Sequence, residues 1–178
     1  MTFPAVQCFE GYIDVGSIEG RGTRFSLYFP VTRREIEPVG AVAALEHLHG
    51  RGERILVVDD VEQQRRIAAA MLSKLGYQVH TVACGEEAVD HLKTRSVDLS
   101  VLDMIMSPGI DGLETYRRIV ELHPGQRVVI TSGYSETERV SAAQRLGAGA
   151  YLRKPYTLEN LGAAVKHELE RRRGANPA

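Results

Sequence analysis

Short apolar runs rich in Val, Ile and Leu recur through the last two thirds of the chain: Ile55-Leu-Val-Val58, Val97-Asp-Leu-Ser-Val-Leu102, Val128-Val-Ile130 and Ala150-Tyr-Leu152. Each stops at a polar residue, and helix-length segments separate them. Runs of this length joined by helical crossovers predict strands of a parallel sheet buried on both faces. A further strand is expected over residues 77–82. The first predicted helix covers 61–75, with Ile67, Met71 and Leu75 at i, i+4 and i+8 facing the sheet. The second covers 85–94, with Ala88, Val89 and Leu92 inward, and the third and fourth cover 112–122 and 135–146. The last starts from an N-cap at Thr157 and runs to about Arg173, with Leu161, Val165 and Leu169 inward. Gly76 and Gly147 end the first and fourth helices, and His123-Pro124-Gly125 interrupts the chain before the fourth strand. The class is α/β.

Residues 11–30 follow a different rule. Gly11-Tyr-Ile-Asp-Val15 and Thr23-Arg-Phe-Ser-Leu-Tyr-Phe29 alternate apolar and polar positions around Glu19-Gly-Arg-Gly22, which predicts a β-hairpin closed by Pro30. The next stretch is charged or alanine-rich and carries Pro38, Gly40, Gly50 and Gly52, so it reads as a linker with one short helix at 41–48. The expected organisation is a hairpin over 1–31, a linker over 32–53, one compact domain over 54–173 and a tail over 174–178. No internal repeat is evident.

Composition narrows the function. With 22 basic against 23 acidic residues the formal net charge is −1, so no surface-wide field draws the chain to nucleic acid or to an anionic membrane. No run has the apolar length of a membrane helix, and the N-terminus lacks the pattern of a signal peptide. Cys8 and Cys84 lie far apart in unlike segments, which fits a reducing compartment, and the cytoplasm is the expected location.

The polar residues that stop the strands carry the chemistry. Asp59 and Asp60 follow the first strand of this sheet, Asp103 the third and Thr131 the fourth, while Lys154 lies just past the fifth. Ligand sites of open α/β sheets lie beyond the carboxyl ends of the strands, so the five converge on one edge. Three carboxylates, a hydroxyl and an ammonium suit a hard divalent cation and a phosphoryl group. Other polar residues read more plainly. Asp90, Asp98 and Asp111 are helix caps or solvated loop residues, and Arg171-Arg-Arg173 is a solvated helix end. His47 and His49, two apart on a helix, point their rings away from each other and make no metal or phosphohistidine pair.

Val57-Val-Asp-Asp60, Leu102-Asp103, Thr131-Ser-Gly133 and Lys154-Pro155, in that order, resemble the motifs of the response-regulator receiver domain over about residues 54–172. The resemblance implies a doubly wound, flavodoxin-like sheet of five parallel strands in the order 2-1-3-4-5, here with the hairpin as an N-terminal extension. It implies that Asp103 takes a phosphoryl group from a partner phosphohistidine, and that Asp103 self-catalyses its own phosphorylation and dephosphorylation. Mg²⁺ would be held by Asp60, Asp103 and the backbone carbonyl of Ile105, with Asp59 acting through water. Lys154 would pair with one phosphoryl oxygen and the Thr131 hydroxyl with another, and small Ser132 would leave the carboxylate accessible. Tyr151, three residues before Lys154, stands at the position of an aromatic that turns inward as the face of the fourth helix, fifth strand and fifth helix changes shape. Lys154-Pro155 is an expected cis peptide. The partner implied is a histidine kinase or a histidine phosphotransfer protein.

One departure is visible. The loop Met104-Ile-Met-Ser-Pro-Gly-Ile-Asp111 is one residue longer than in the commonest receivers and resembles receivers fused to sensor histidine kinases. Residues 11–30 likewise resemble the last two strands of a histidine-kinase ATPase domain, with Gly20 and Gly22 matching its second glycine motif. Without that domain's earlier motifs the chain is expected neither to bind ATP nor to act as a kinase alone, and to be a fragment or truncated relative of a hybrid sensor kinase. In that setting Gly20 and Gly22 also read simply as turn glycines.

Two other functions compete. An aspartyl-phosphate-forming phosphohydrolase like the haloacid dehalogenases carries its second Asp two residues after the nucleophile on the first strand, whereas Asp59 and Asp60 are adjacent. A phosphorylation-independent binding module would ignore Mg²⁺ and small phosphodonors. Dinucleotide binding fits poorly, because Val58-Asp-Asp-Val-Glu62 offers no glycine-rich turn. A homodimer is expected through the hairpin, where Phe25, Leu27 and Phe29 share one apolar face, unless that face packs on the receiver; the face between the fourth and fifth helices is a second dimer surface.

Overall fold

A computed structural model describes residues 11–31, 45–133 and 138–171. The chain forms two compact units, one within residues 1–39 and one within 40–178. In the first, β1 (Tyr12–Ile18) and β2 (Gly22–Tyr28) pair antiparallel, with Val15 opposite Phe25 and Ile13 opposite Leu27. Gly20 and Gly22 take φ of 74° and 96°, which an L side chain adopts only with strain, so the tight reversal depends on glycine. Val15, Phe25, Leu27 and Phe29 are all exposed.

The second unit is a five-stranded parallel sheet. Its strands are β3 (Arg54–Val58), β4 (Gln78–Val82), β5 (Leu99–Asp103), β6 (Val128–Ser132) and β7 (Tyr151–Arg153), in the spatial order β4-β3-β5-β6-β7. That is the expected 2-1-3-4-5. The crossovers are α1 (Glu62–Lys74), α2 (Gly85–Thr94), α3 (Gly112–Leu122) and α4 (Glu138–Arg145), and α5 (Leu158–Glu170) follows the last strand. β5 and β6 are buried along their whole length because helices cover both faces. On one face Leu56, Leu102 and Ile130 pack with Leu92 of α2, Ile119 of α3 and Val140 of α4. On the other, Val57, Val101 and Val129 pack with Leu72 of α1 and Val165 of α5.

The caps follow local chemistry. Asp111 starts α3 by accepting from the Glu114 amide at 2.9 Å, and Thr157 starts α5 by accepting from the Asn160 amide at 3.2 Å. Gly76, at φ 83°, turns the chain out of α1 while the Tyr77 amide closes on Leu72 O at 3.1 Å. Lys154-Pro155 is cis as expected, and so is Ser107-Pro108.

One helix face differs from expectation. In α1 the sheet-facing residues are Ala68 and Leu72, whereas Ile67 is 46% exposed and Met71 is half-buried. Two stripes ending at Leu75 are available, and the one through Ala68 and Leu72 is buried. Leu75, common to both stripes, fits against Gly162 of α5, where an added β-carbon would come within 2.6 Å of its methyl, so α1 and α5 pack closely at this point. The packing also begins before Arg54: Leu48 is buried in the core, and its carbonyl accepts the Tyr77 hydroxyl at 3.0 Å. Residues 45–46 are helical. Residues 47–48 form a turn, while residues 41–44 of the expected short helix, most of the linker, Cys8, the first residues of the expected fourth helix, Arg172, Arg173 and the tail lie outside the described residues. No helix among the described residues is long and apolar enough to cross a membrane.

Burial, reinforced by the charges of Glu53 and Glu170, pushes the Tyr77 hydroxyl up to about 12 from 10.0. The folded state therefore holds this proton more tightly than the unfolded chain. Its contribution is complete below pH 10.0 and is lost as the pH rises towards 12. Urea titrations should show stability falling over that window and falling less in Tyr77→Phe. At neutral pH the same variant should lose about 1–2 kcal/mol, because the Leu48 carbonyl is left without its donor.

Candidate functional site

The sheet order brings the predicted polar residues to one edge. β3 lies beside β5 with Val58 level with Leu102, so Asp59 and Asp103 emerge next to each other. β5 lies beside β6 with Asp103 level with Thr131. The Lys154 amide donates to Ser132 O at 2.8 Å, which extends the β6–β7 pairing to the residue that carries the ammonium. Asp59, Asp103 and Thr131 are each at most 5% exposed.

Oxygens of Asp59, Asp60 and Asp103 lie within 4.8 Å of one another. Lys154 Nζ donates to Asp59 Oδ2 at 2.6 Å and to Asp103 Oδ2 at 2.7 Å. Three of the four remaining oxygens are held by backbone amides: Asp59 Oδ1 by Val61 at 2.9 Å, Asp103 Oδ1 by Ile105 at 3.3 Å and Asp60 Oδ2 by Ser107 at 3.1 Å. Arg65 Nη1 donates to the Asp59 carbonyl at 2.6 Å, tying α1 to the same corner. Burial raises the Asp103 carboxyl above its ordinary range, Lys154 pulls it back down, and the charge of Asp59 adds to the rise.

One ammonium does not balance three carboxylates. With all four groups ionised the cluster carries a net charge of −2, and its donors are hard oxygens only, so it fits a hard divalent cation. The surroundings are shaped rather than flat. An added β-carbon on Gly112 would overlap the Asp103 carbonyl, so the glycine lets α3 start against the end of β5. Beside Lys154, a groove of about 380 Å³ is lined by Gln64, Ile67, Pro155 and Tyr156.

Four of the predicted residues, Asp59, Asp60, Asp103 and Lys154, thus form one cluster, with Thr131 fixed beside it by strand register. Ile105 meets Asp103 through its amide. Tyr151 stands apart, level with Ile130 on β7 and half-buried against the core face of α3 and α4. Two features escaped the sequence: the Ser107 amide on Asp60, and Glu86 of α2, whose Oε1 accepts from the Ile110 amide at 3.0 Å. A sequence signal exists only for the second, an acidic residue in the first turn of a helix, and it gives no partner.

A family model described as the response regulator receiver domain matches residues 55–166. The chain is similar to the sporulation initiation phosphotransferase F of Bacillus subtilis (strain 168), with 34% identity over 117 residues, 66% of this chain and 94% of that protein. It is also similar to the sensor kinase CckA of Brucella abortus (strain 2308), with 31% identity over 184 residues. That match takes in 96% of this chain but only 19% of the kinase. Among solved structures, a CheY-like response regulator receiver domain protein from Methanospirillum hungatei JF-1 matches with a TM-score of 0.63 and 27% identity, over 66% of this chain and 94% of that one.

The charge imbalance predicts opposite effects for two substitutions in metal-free protein. Lys154→Met strands Asp59 and Asp103 in a buried setting and should cost about 3 kcal/mol of unfolding free energy. Asp60→Asn removes one of the repelling charges and should raise the denaturation midpoint. Urea unfolding without divalent ions checks both, and equal signs would contradict the assignment of excess negative charge.

Proposed function

The chain belongs to the response regulator receiver domain family, and on that premise we propose that it is the phosphoacceptor of a two-component phosphorelay, with Asp103 as the residue phosphorylated. The observation that carries this reading is the Asp59–Asp60–Asp103 cluster with Lys154 bridging two of its members. Asp60, Asp103 and the Ile105 carbonyl would hold Mg²⁺, with Asp59 acting through water. The ion would supply the positive charge that lets a phosphoryl group approach this acidic edge.

An Asp103 carboxylate oxygen attacks phosphorus, a P–O bond forms, and the P–N bond of the donor phosphohistidine breaks, returning its electron pair to the imidazole. Lys154 exchanges part of its contact with Asp103 for a phosphoryl oxygen, and the Thr131 hydroxyl donates to another. Burial around Asp103 removes competing water from these contacts. Tyr151, on the strand that leads to Lys154, follows the move of Thr131, and the face made by α4, β7 and α5 changes with it.

The donor is a histidine kinase or a histidine phosphotransfer protein. Exposed Ile67 beside Pro155 and Tyr156 gives such a partner an apolar foothold next to Lys154. Similarity to a sensor kinase along nearly the whole chain supports an origin in a hybrid kinase, with the hairpin derived from its ATPase domain; the site of action we propose is the cytoplasm. We propose further that the exposed apolar face of the hairpin pairs two copies of the chain.

Intact-mass spectrometry after incubation with Mg²⁺ and acetyl phosphate tests the central assignment. The parent chain should gain one phosphoryl group, and Asp103→Asn should gain none. A gain retained in Asp103→Asn would assign the modification to another residue.

A further inference from the structure

The loop from Met104 to Asp111 joins the end of β5 to α3, and two side chains from other elements hold it. At its centre the Ser107 amide donates to Asp60 Oδ2. Three residues later the Ile110 amide donates to Glu86 Oε1, and Glu86 lies in the first turn of α2. The Glu86 carboxylate also covers Gly109: a β-carbon there would come within 2.8 Å of both its oxygens, and Gly109 holds φ 110°. Next to Glu86, an added β-carbon on Gly85 would meet the Ile110 side chain, so the start of α2 and the loop are packed as one piece. Backbone amides of Glu86 and Ile110 hold the Glu86 carboxyl below its ordinary range, which keeps the acceptor charged at neutral pH.

Asp60 has no other anchor of this kind. Its neighbours Asp59 and Asp103 are fixed by Lys154, whereas among the described residues the Asp60 side chain is held by the Ser107 amide alone. Two peptide units and the constrained ring of Pro108 separate Ser107 from the segment that Glu86 grips, so freedom at Ile110 passes directly to Ser107. We propose that Glu86 is a positioning residue for the phosphorylation site: by gripping Gly109 and Ile110 it keeps the Ser107 amide on Asp60 and sets that carboxylate's orientation towards the metal. This rests on the reading of Asp60 as a metal ligand.

The test uses the full chain and two readouts: amide hydrogen exchange of metal-free protein at Ser107 and Ile110, and Mg²⁺ binding by titration calorimetry. Glu86→Ala should speed exchange at both amides and raise the Mg²⁺ dissociation constant about tenfold, the low end of what outer-shell partners of metal ligands contribute. Glu86→Gln keeps an acceptor oxygen and should restore binding to within about twofold. Gly109→Ala leaves Glu86 in place but displaces its carboxylate, and should act like Glu86→Ala. Glu87→Ala, which removes only the carboxylate that accepts the Ala83 amide at the same helix start, should change neither readout. Unchanged Mg²⁺ affinity and unchanged Ser107 exchange in Glu86→Ala would overturn the proposal while leaving the metal site intact. Absence of Mg²⁺ binding by the unaltered chain is a different failure, which removes the site reading and the proposal together.

Discussion

Mutual repulsion among Asp59, Asp60 and Asp103 is the constraint around which this fold is arranged. At separations of a few ångströms, like charges near a protein surface repel by about 4 kcal/mol per pair. Only Lys154 opposes that within the cluster, and it reaches only two of the three carboxylates. A stable sheet must therefore hold together an edge that its own chemistry tends to open. It does so with apolar cores on both faces and with amides from Val61, Ile105 and Ser107 aimed at the carboxylate oxygens. The residual negative charge suits a hard cation and, in the proposed function, a phosphoryl group approaching through it.

How much of this is legible in the sequence depends on whether a property is local. The strands were legible because burial on both faces leaves Ile55 to Val58 and Val128 to Ile130 as uninterrupted apolar runs. The strand order was not encoded in any run. It came with the resemblance, and the structure agrees with it. The buried face of α1 is not legible because Ile67–Met71 and Ala68–Leu72 are equally periodic and both lead to Leu75, so spacing alone does not choose between them.

The candidate site divides in the same way. Asp59, Asp60, Asp103, Thr131 and Lys154 were legible because each interrupts or follows an apolar strand, where a polar residue has few structural uses. The contacts that orient them were not. Lys154 bridges Asp59 and Asp103, the Ser107 amide meets Asp60, and Glu86 grips Ile110, all across sequence separations that no spacing rule covers. Backbone amides belong to every residue, so sequence alone cannot say which of them will be aimed at a carboxylate.

The parallel register that sets Asp103 level with Thr131 has one more consequence. Adjacent strands lie about 4.8 Å apart whatever side chains they bear, because backbone hydrogen bonds fix that interval. The gap between carboxylate and hydroxyl is thus gauged by the peptide lattice, and substitutions on the helices leave undisturbed the span that the proposed phosphoryl group would bridge.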